Sequence, residues 1–467
     1  PLNDRLLNIN RRALLKGAGA GGLGLLGGPA LGQLLAAKEP MTAAHLDFAP
    51  RAKRIIYLFQ EGAPSQIDTF DHKPGLKDFY DKDLPPSVRG SQRLTGMTSN
   101  QARLPIAPSS FKFTQHGNRQ DGLWVSDLLR RTGEMAGDLC VIKSTHCTNP
   151  RHGGAVLEWH TGSDTFIRPS MGSWISYGLG TENQDLPSYI TIDQATSQGG
   201  ANNFGSAFLP AVYQGTLLGG QKNARFPFMT AAAGERQRQR LELDMLARLS
   251  ASQGPATRDM EARIKSFELA FRMQMEAPAA LDVSEETPHT QQMYGLDQPE
   301  TESFGRQCLL ARRLSERGVR FVQCNANGWD AHSGLTSNHA ARSRGVDRPV
   351  SALLRDLKSR GMLDETLVIW GGEFGRTPVS QNADGRDHNP WGFTMWMAGG
   401  GVKPGMSFGR TDEYGFYAVE NKVHVHDLHA TVLHLLGLDH DRLTYRYAGR
   451  DFRLTDIHGR VVNEIIV

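Results

Sequence analysis

Six short stretches of the chain are apolar almost without interruption. They are RIIYLF from Arg54, LCVIKS from Leu139, SYITI from Ser188, VRFVQC from Val319, TLVIWGG from Thr366 and FTMWMAGG from Phe393. A strand that faces water on one side alternates apolar and polar residues. A strand covered on both faces does not, so these runs predict strands of a parallel sheet buried between helices. Between them lie stretches with helical spacing. Asp121–Ala136 carries DLLRRTGEMA, Ser303–Arg317 places Phe304, Leu309 and Leu310 along one side, and Val350–Arg360 carries VSALLRDLKSR. Strands alternating with helices predict an α/β domain. From about 235 to 276 the chain turns charged and poor in strand formers. That block predicts one or two long surface helices, broken near SQGPAT, as an excursion from the sheet, with EAPAALDVSEETPHT as a loop after it.

Composition narrows the class. The chain has 467 residues, 39% hydrophobic and 22% charged, with a formal net charge of +3. This is ordinary globular composition. No run of five like charges occurs, so nucleic acid is not an expected partner. The four cysteines form no CxxC pair, and Cys140 and Cys324, set in apolar runs, are expected to be buried free thiols. Near the start, Arg11-Arg12 precedes ALLKGAGAGGLGLLGGPALGQLLAA, a soft Gly/Ala/Leu stretch with small residues near Ala36-Ala37. The pattern resembles a twin-arginine signal over residues 1–37. It implies passage through the twin-arginine translocase and a periplasmic or secreted protein. No later apolar run reaches the roughly 18 residues a membrane span needs.

The candidate chemistry lies at the strand ends. In an open α/β sheet, ligands bind outside the carboxyl ends of the strands. After RIIYLF come Glu61, Ser65, Asp68 and Asp71; after LCVIKS come Thr148, Arg151 and His152; after VRFVQC come Asp330 and His332; after TLVIWGG come Glu373 and Arg376; and His388 precedes FTMWMAGG. Nine of the sixteen histidines fall between His332 and His458, which adds weight to a metal site. Taken singly, each residue has an ordinary reading, such as turn formation for Asp68 and Asp71 or a helix N-terminal carboxylate for Glu373. Their recurrence at successive strand ends points to a mixed oxygen and nitrogen ligand set: Asp68, Asp330, His332, Glu373 and His388. Such a set suits zinc or manganese first, with iron, magnesium or calcium as alternatives.

The motifs GAPSQIDTFDHKP, GWDAH, GGEFGRTP, DHNPWGF, HDLHATVLHLLGLDH and YAGRDFRLTD resemble an exported, sulfatase-like family known as domain of unknown function 1501. The resemblance runs from about Lys53 to the C-terminus, giving one domain over 53–467. That family is similar in turn to the alkaline phosphatase and sulfatase superfamily. The resemblance implies a three-layer α/β/α fold of alkaline-phosphatase type with a mostly parallel sheet. It also implies a metal-dependent hydrolase of sulfate or phosphate esters, with an anionic ester, including sulfated or phosphorylated polymers, as substrate. Asp330 and His332 resemble the superfamily's Asp and His on a later loop, though two residues apart rather than four. Glu373-Phe374 stands where a strand ends in Asp-His, so the carboxylate is kept and the imidazole is not. His388 fits the last histidine, and the helix VHDLHATVLHLLGL matches a late helix in which Asp427 and His429 are expected to be structural.

The nucleophile departs from the pattern. Sulfatases use Cys-x-Pro-Ser-Arg, whereas here Pro150 lies three residues after Cys147, and counting nine back from Thr161-Gly162 reaches His152. The remaining candidates are Thr148, His152 or water activated by a divalent ion, with Arg376 or Arg151 to bind the anion. Two other readings stay open. One is a non-catalytic binding or scaffold protein that keeps the fold with a degenerate site; the other is a metal-binding oxidoreductase.

Overall fold

The computed structural model describes residues 46–467, apart from 91–97, 99–100, 118–121, 195, 221–225, 227–234 and 253–257. The proposed signal at 1–37 lies outside the described residues. All six apolar runs form strands of one nine-stranded sheet. In chain order the strands used below are β1 (Arg54–Gln60), β2 (Leu139–His146), β3 (Tyr189–Ile192), β4 (Thr216–Leu218), β5 (Phe321–Ala326), β6 (Thr366–Gly371), β7 (Gly375–Gln381), β8 (Gly385–Asn389), β9 (Phe393–Ala398), β10 (Met406–Phe408) and β11 (Val423–His424). The sheet runs β10-β2-β9-β6-β1-β5-β3-β4, with β11 also on β2. Only β9 is antiparallel to its neighbours, β2 and β6; the remaining pairs in this sheet are parallel. The separate strands β7 and β8 form a hairpin between β6 and β9.

Alternate residues of each strand feed two cores, as the two-residue period of a strand requires. Ile56, Leu58, Val322, Val368 and Trp370 join the helices Pro299–Glu316 and Leu335–Ser359 through Leu309, Leu310, Leu353 and Leu354. Ile55, Tyr57, Phe59, Leu367 and Ile369 face the helices His152–Thr161, Met171–Leu179 and Val425–Leu435 through Val156, Trp174 and Val432. The result is a three-layer α/β/α domain. Each Leu, Ile, Val or Phe buried this way contributes about 1.5–3 kcal/mol.

Several elements differ from the pattern reading. The described part of the stretch expected as a helix over 121–136 does not form one continuous helix. Leu123–Ser126 pairs with Phe113–His116 as a small hairpin, and only short helical turns follow it. The third helix begins fifteen residues earlier than its apolar stripe, at Leu335, and within it His339 is buried and accepts the Ser65 amide (3.0 Å). Long helices occupy Glu235–Ser252 and Arg258–Leu281, and the second continues through Pro278 into the stretch read as a loop. All four cysteines are free and buried. No helix among the described residues is long and apolar enough to cross a membrane.

Candidate metal centre

Strands β1, β2, β5 and β6 end on the same edge of the sheet, and the β7–β8 hairpin rises beside them. The loop after β5 is drawn onto the end of β1 by Trp329. Its indole Nε1 donates to Gln60 Oε1 (3.1 Å) and its amide to the Glu61 carbonyl (3.2 Å). Gly62 lets the two backbones meet: its φ is +101°, and a Cβ there would lie 2.5 Å from the Asp330 amide nitrogen. Next to Glu373 the need for glycine is different. Gly372 is required for close approach rather than for a left-handed turn, since a Cβ on it would lie 2.6 Å from the Gln60 carbonyl oxygen. Asp330 and Glu373 are thereby fixed by the ends of two strands that flank β1.

Four side chains converge. One ligand atom from each of His152, Asp330, His332 and His388 lies within 4.8 Å of the others. Asp330 is at the middle. Its Oδ1 is 3.1 Å from His332 Nε2 and 3.6 Å from His388 Nε2, and its Oδ2 is 3.2 Å from His152 Nε2. Asp330 is also the open side of the group, with a side chain 42% exposed. His388 donates from Nδ1 to the Pro150 carbonyl (2.7 Å), and His332 Nδ1 lies 2.6 Å from Gln381 Oε1. Each ring is thus held at Nδ1 and turns Nε2 toward Asp330. Metal-binding histidines are oriented in this way, by an acceptor on the ring nitrogen that faces away from the ion.

Glu373 stands one step back. It is fully buried, accepts the Gly62 amide (3.0 Å) and contacts His152 Nδ1 at 2.5 Å. It therefore orients His152 rather than joining the group of four. Phe374, where an imidazole was missing, packs its ring 4.9 Å from His152 and 4.6 Å from His388. It forms an apolar wall that limits the tilt of both rings. Glu61 completes the neighbourhood. Burial and the nearby Glu373 carboxylate raise it to about 7. His152 is raised to about 9, because its bonds to Asp330 and Glu373 outweigh burial. Asp330 is held well below the usual carboxylate range: burial acts against this, but His152, His332, His388 and Arg376 together prevail. Burial lowers His388, which keeps its ring neutral and available as a ligand.

Four other residues expected at the site lie outside the group of four, though one of them, Arg376, touches it. Asp68 is buried and spent on an ion pair with Arg386 Nε (2.9 Å) and a bond from the Ser65 hydroxyl (2.6 Å). Arg376 is fully buried and reaches Asp330 Oδ1 (2.8 Å), the carbonyls of Ala63 (3.0 Å) and Arg386 (3.2 Å), and the Gly62 carbonyl. It braces the loops and has no face left for a substrate anion. Arg151, beside His152, is exposed and has no carboxylate partner among the described residues. Thr148 belongs to a second cluster with Glu158, His424 and His426. There His424 Nδ1 accepts the His426 amide (3.2 Å) as a helix cap, which places the ring proton on Nε2. His424 Nε2, 3.3 Å from the Thr148 hydroxyl, is then a donor and cannot take that hydroxyl's proton. Glu158 clamps the amides of Thr148 (3.0 Å) and Asn149 (3.3 Å), which steadies the loop that brings Pro150 to His388.

The fold and the site define an α/β protein with a carboxylate–imidazole centre at the carboxyl edge of its sheet. The chain belongs to the family described as protein of unknown function DUF1501, whose model matches residues 52–466. No curated protein matches it in sequence. Among solved structures it is similar to Ps i-CgsB, with 11% identity and a TM-score of 0.38 over 83% of this chain and 73% of that one. It is also similar to the alkaline phosphatase of the Antarctic bacterium TAB5, with 10% identity, a TM-score of 0.34 and coverage of 84% and 99%. A third is the PsFucS1 sulfatase from Pseudoalteromonas sp., with 12% identity, a TM-score of 0.35 and coverage of 88% and 72%.

Proposed function

We propose that this chain is an exported, metal-dependent hydrolase of sulfate or phosphate esters. The observation that carries the reading is the convergence of His332 Nε2, His388 Nε2 and the Asp330 carboxylate, with both rings held from behind at Nδ1. Two imidazoles and one carboxylate suit zinc or manganese, and fit magnesium or calcium less well, since those ions favour oxygen. A divalent ion there would supply Lewis-acid polarisation of an ester oxygen. Asp330, His332 and His388 would hold it. His152, oriented by Glu373, presents Nε2 at the same point and is placed to exchange a proton with the leaving oxygen. Arg151 precedes His152 in the chain and is exposed, and it is the arginine we assign to the ester anion, through its guanidinium fork.

The second reading, a binding or scaffold protein, is favoured by one observation. The loop that carries His152 offers no free nucleophile: the Cys147 thiol is buried against the Glu373 carbonyl (3.4 Å), and Thr148 faces a donor. Elemental analysis of natively purified protein, followed by a panel of aryl sulfates, phosphate monoesters and phosphate diesters, separates the two. Stoichiometric metal with turnover of one ester class supports the hydrolase. Metal without turnover supports the binding role, and protein that takes up no divalent metal overturns the hydrolase reading.

A further inference from the structure

The two histidines that face Asp330 are not oriented by equivalent partners. His388 donates to a backbone carbonyl, that of Pro150, which can only accept (2.7 Å). Its proton is therefore on Nδ1 and its lone pair on Nε2. The partner of His332 is the side-chain amide of Gln381, 2.6 Å from Nδ1. An amide can present either end, and the two ends give different centres. With the amide oxygen toward His332, the proton sits on Nδ1. The Nε2 lone pairs of His332 and His388 then face each other at 3.0 Å beside a carboxylate, an arrangement satisfied by a cation. With the amide nitrogen toward His332, the proton sits on Nε2. His332 then donates to His388 Nε2 or to Asp330, and the group closes on itself with no need of an ion.

The surroundings set Gln381 in place with some precision. It is the last residue of β7, paired across the hairpin with Gly385, and is only 5% exposed. Asn382 and Ala383 follow with φ of +48° and +68°, a tight turn that stops β7 at Gln381. Asn382 then holds the backbone carbonyl of His332 through its Nδ2 (3.1 Å), so the ring and its partner are fixed to the same turn. We infer that Gln381 is the positioning residue that makes this centre a cation site: its Oε1 accepts the Nδ1 proton of His332 and so commits the Nε2 lone pair to an ion. The inference rests on the metal-centre reading above and adds to it a residue outside every motif that marks the site.

The test uses the full-length wild type, Gln381→Leu and Gln381→Glu, with zinc alone as the probe. Zinc affinity is measured by chelator competition. The His332 tautomer is read in metal-free protein by ¹⁵N NMR with histidine-selective labelling, the resonance being assigned with His332→Gln. We expect the Nδ1–H tautomer in wild type, the same tautomer with equal or tighter zinc binding in Gln381→Glu, and a loss of about 10–100-fold in affinity in Gln381→Leu. Recovery of affinity with the carboxylate, which keeps the acceptor, is a result that a merely space-filling role would not produce. An Nε2–H tautomer in wild type, or wild-type affinity in Gln381→Leu, overturns the inference. If wild type binds no zinc, yet shows the Nδ1–H tautomer that Gln381→Leu loses, the metal reading fails while the role of Gln381 in setting the proton stands. If Gln381→Leu does not fold, the glutamate variant decides: affinity at or above wild type supports the inference, and weaker binding overturns it.

Discussion

His332 Nε2 and His388 Nε2 lie 3.0 Å apart, and both are turned toward Asp330 by contacts on the opposite ring nitrogen. With the Gln381 oxygen toward His332 both atoms carry lone pairs, which repel unless something positive lies between them; the nearby cationic side chains, His152 and Arg376, are each bonded to Asp330 rather than to either of these two nitrogens. Purified protein is therefore expected to carry about one divalent ion per chain at this point. Asp330→Asn and His388→Ala should each lower that content at least tenfold, measured by elemental analysis after native purification. Circular dichroism should keep the shape of the wild type, because both residues lie at the sheet edge rather than in its two cores, while Asp330→Asn should cost some stability by removing the carboxylate paired with buried Arg376. Metal content unchanged in both variants would remove the basis for the centre.

Asp68 provides the contrasting case. It follows β1, as a ligand would, but it is buried and paired with Arg386. Removing one partner of a buried ion pair leaves the other charge uncompensated, at a cost of about 3–5 kcal/mol. Asp68→Ala should lower the unfolding free energy by that order in denaturant titrations. The fraction that stays folded should bind metal as the wild type does. A variant of normal stability with lost metal would instead return Asp68 to the ligand set.

These two aspartates also show what could be read from the sequence. Asp330, His332, Glu373 and His388 were visible because each follows or precedes a long apolar strand, and a parallel sheet brings such ends to one edge. The partner of Asp68 was not visible, since Arg386 lies more than three hundred residues away and no local pattern links the two. The same limit hid Gln381 and the Pro150 carbonyl, which act through tertiary contacts alone. Among the strands, β4, β10 and β11 have three residues or fewer, too short for any periodicity to register. Asp121–Ala136 has helical spacing, but part of it is claimed by pairing with Phe113–His116, so tertiary structure overrode the local pattern.

Export is the third expectation. The pair Arg11-Arg12 precedes a soft apolar stretch, and a twin-arginine translocase tolerates the loss of both arginines poorly. Replacing both with lysine should leave the protein in the cytoplasm, with the precursor seen in cell fractionation. Unchanged recovery from the periplasm or medium would reject this route, and would leave the metal centre untouched as a proposal.

Acid should destabilise the fold through buried histidines. Burial lowers His160 to about 4, and His339 and His429 to about 3, against 6.5 for the free side chain. Between these values and 6.5 the unfolded chain binds protons that the folded chain does not. The stability these groups support is thus complete above about pH 6.5 and is lost as the pH falls toward 4 and 3, by about 1.4 kcal/mol per pH unit for each group. His429 isolates the effect. It is buried, and its Nε2 donates to the Trp159 carbonyl (2.8 Å), a bond that the amide of glutamine can replace. His429→Gln should be less stable than wild type at pH 7.5 because the packing changes. Its deficit should shrink by about 1.4 kcal/mol for each unit of pH below 6.5, because glutamine takes up no proton in the unfolded state. Denaturant unfolding of both proteins at pH 7.5, 6, 5 and 4.5 measures this directly. A difference that stays constant across the series would mean that His429 titrates alike in the folded and unfolded chain, and that burial does not hold it neutral.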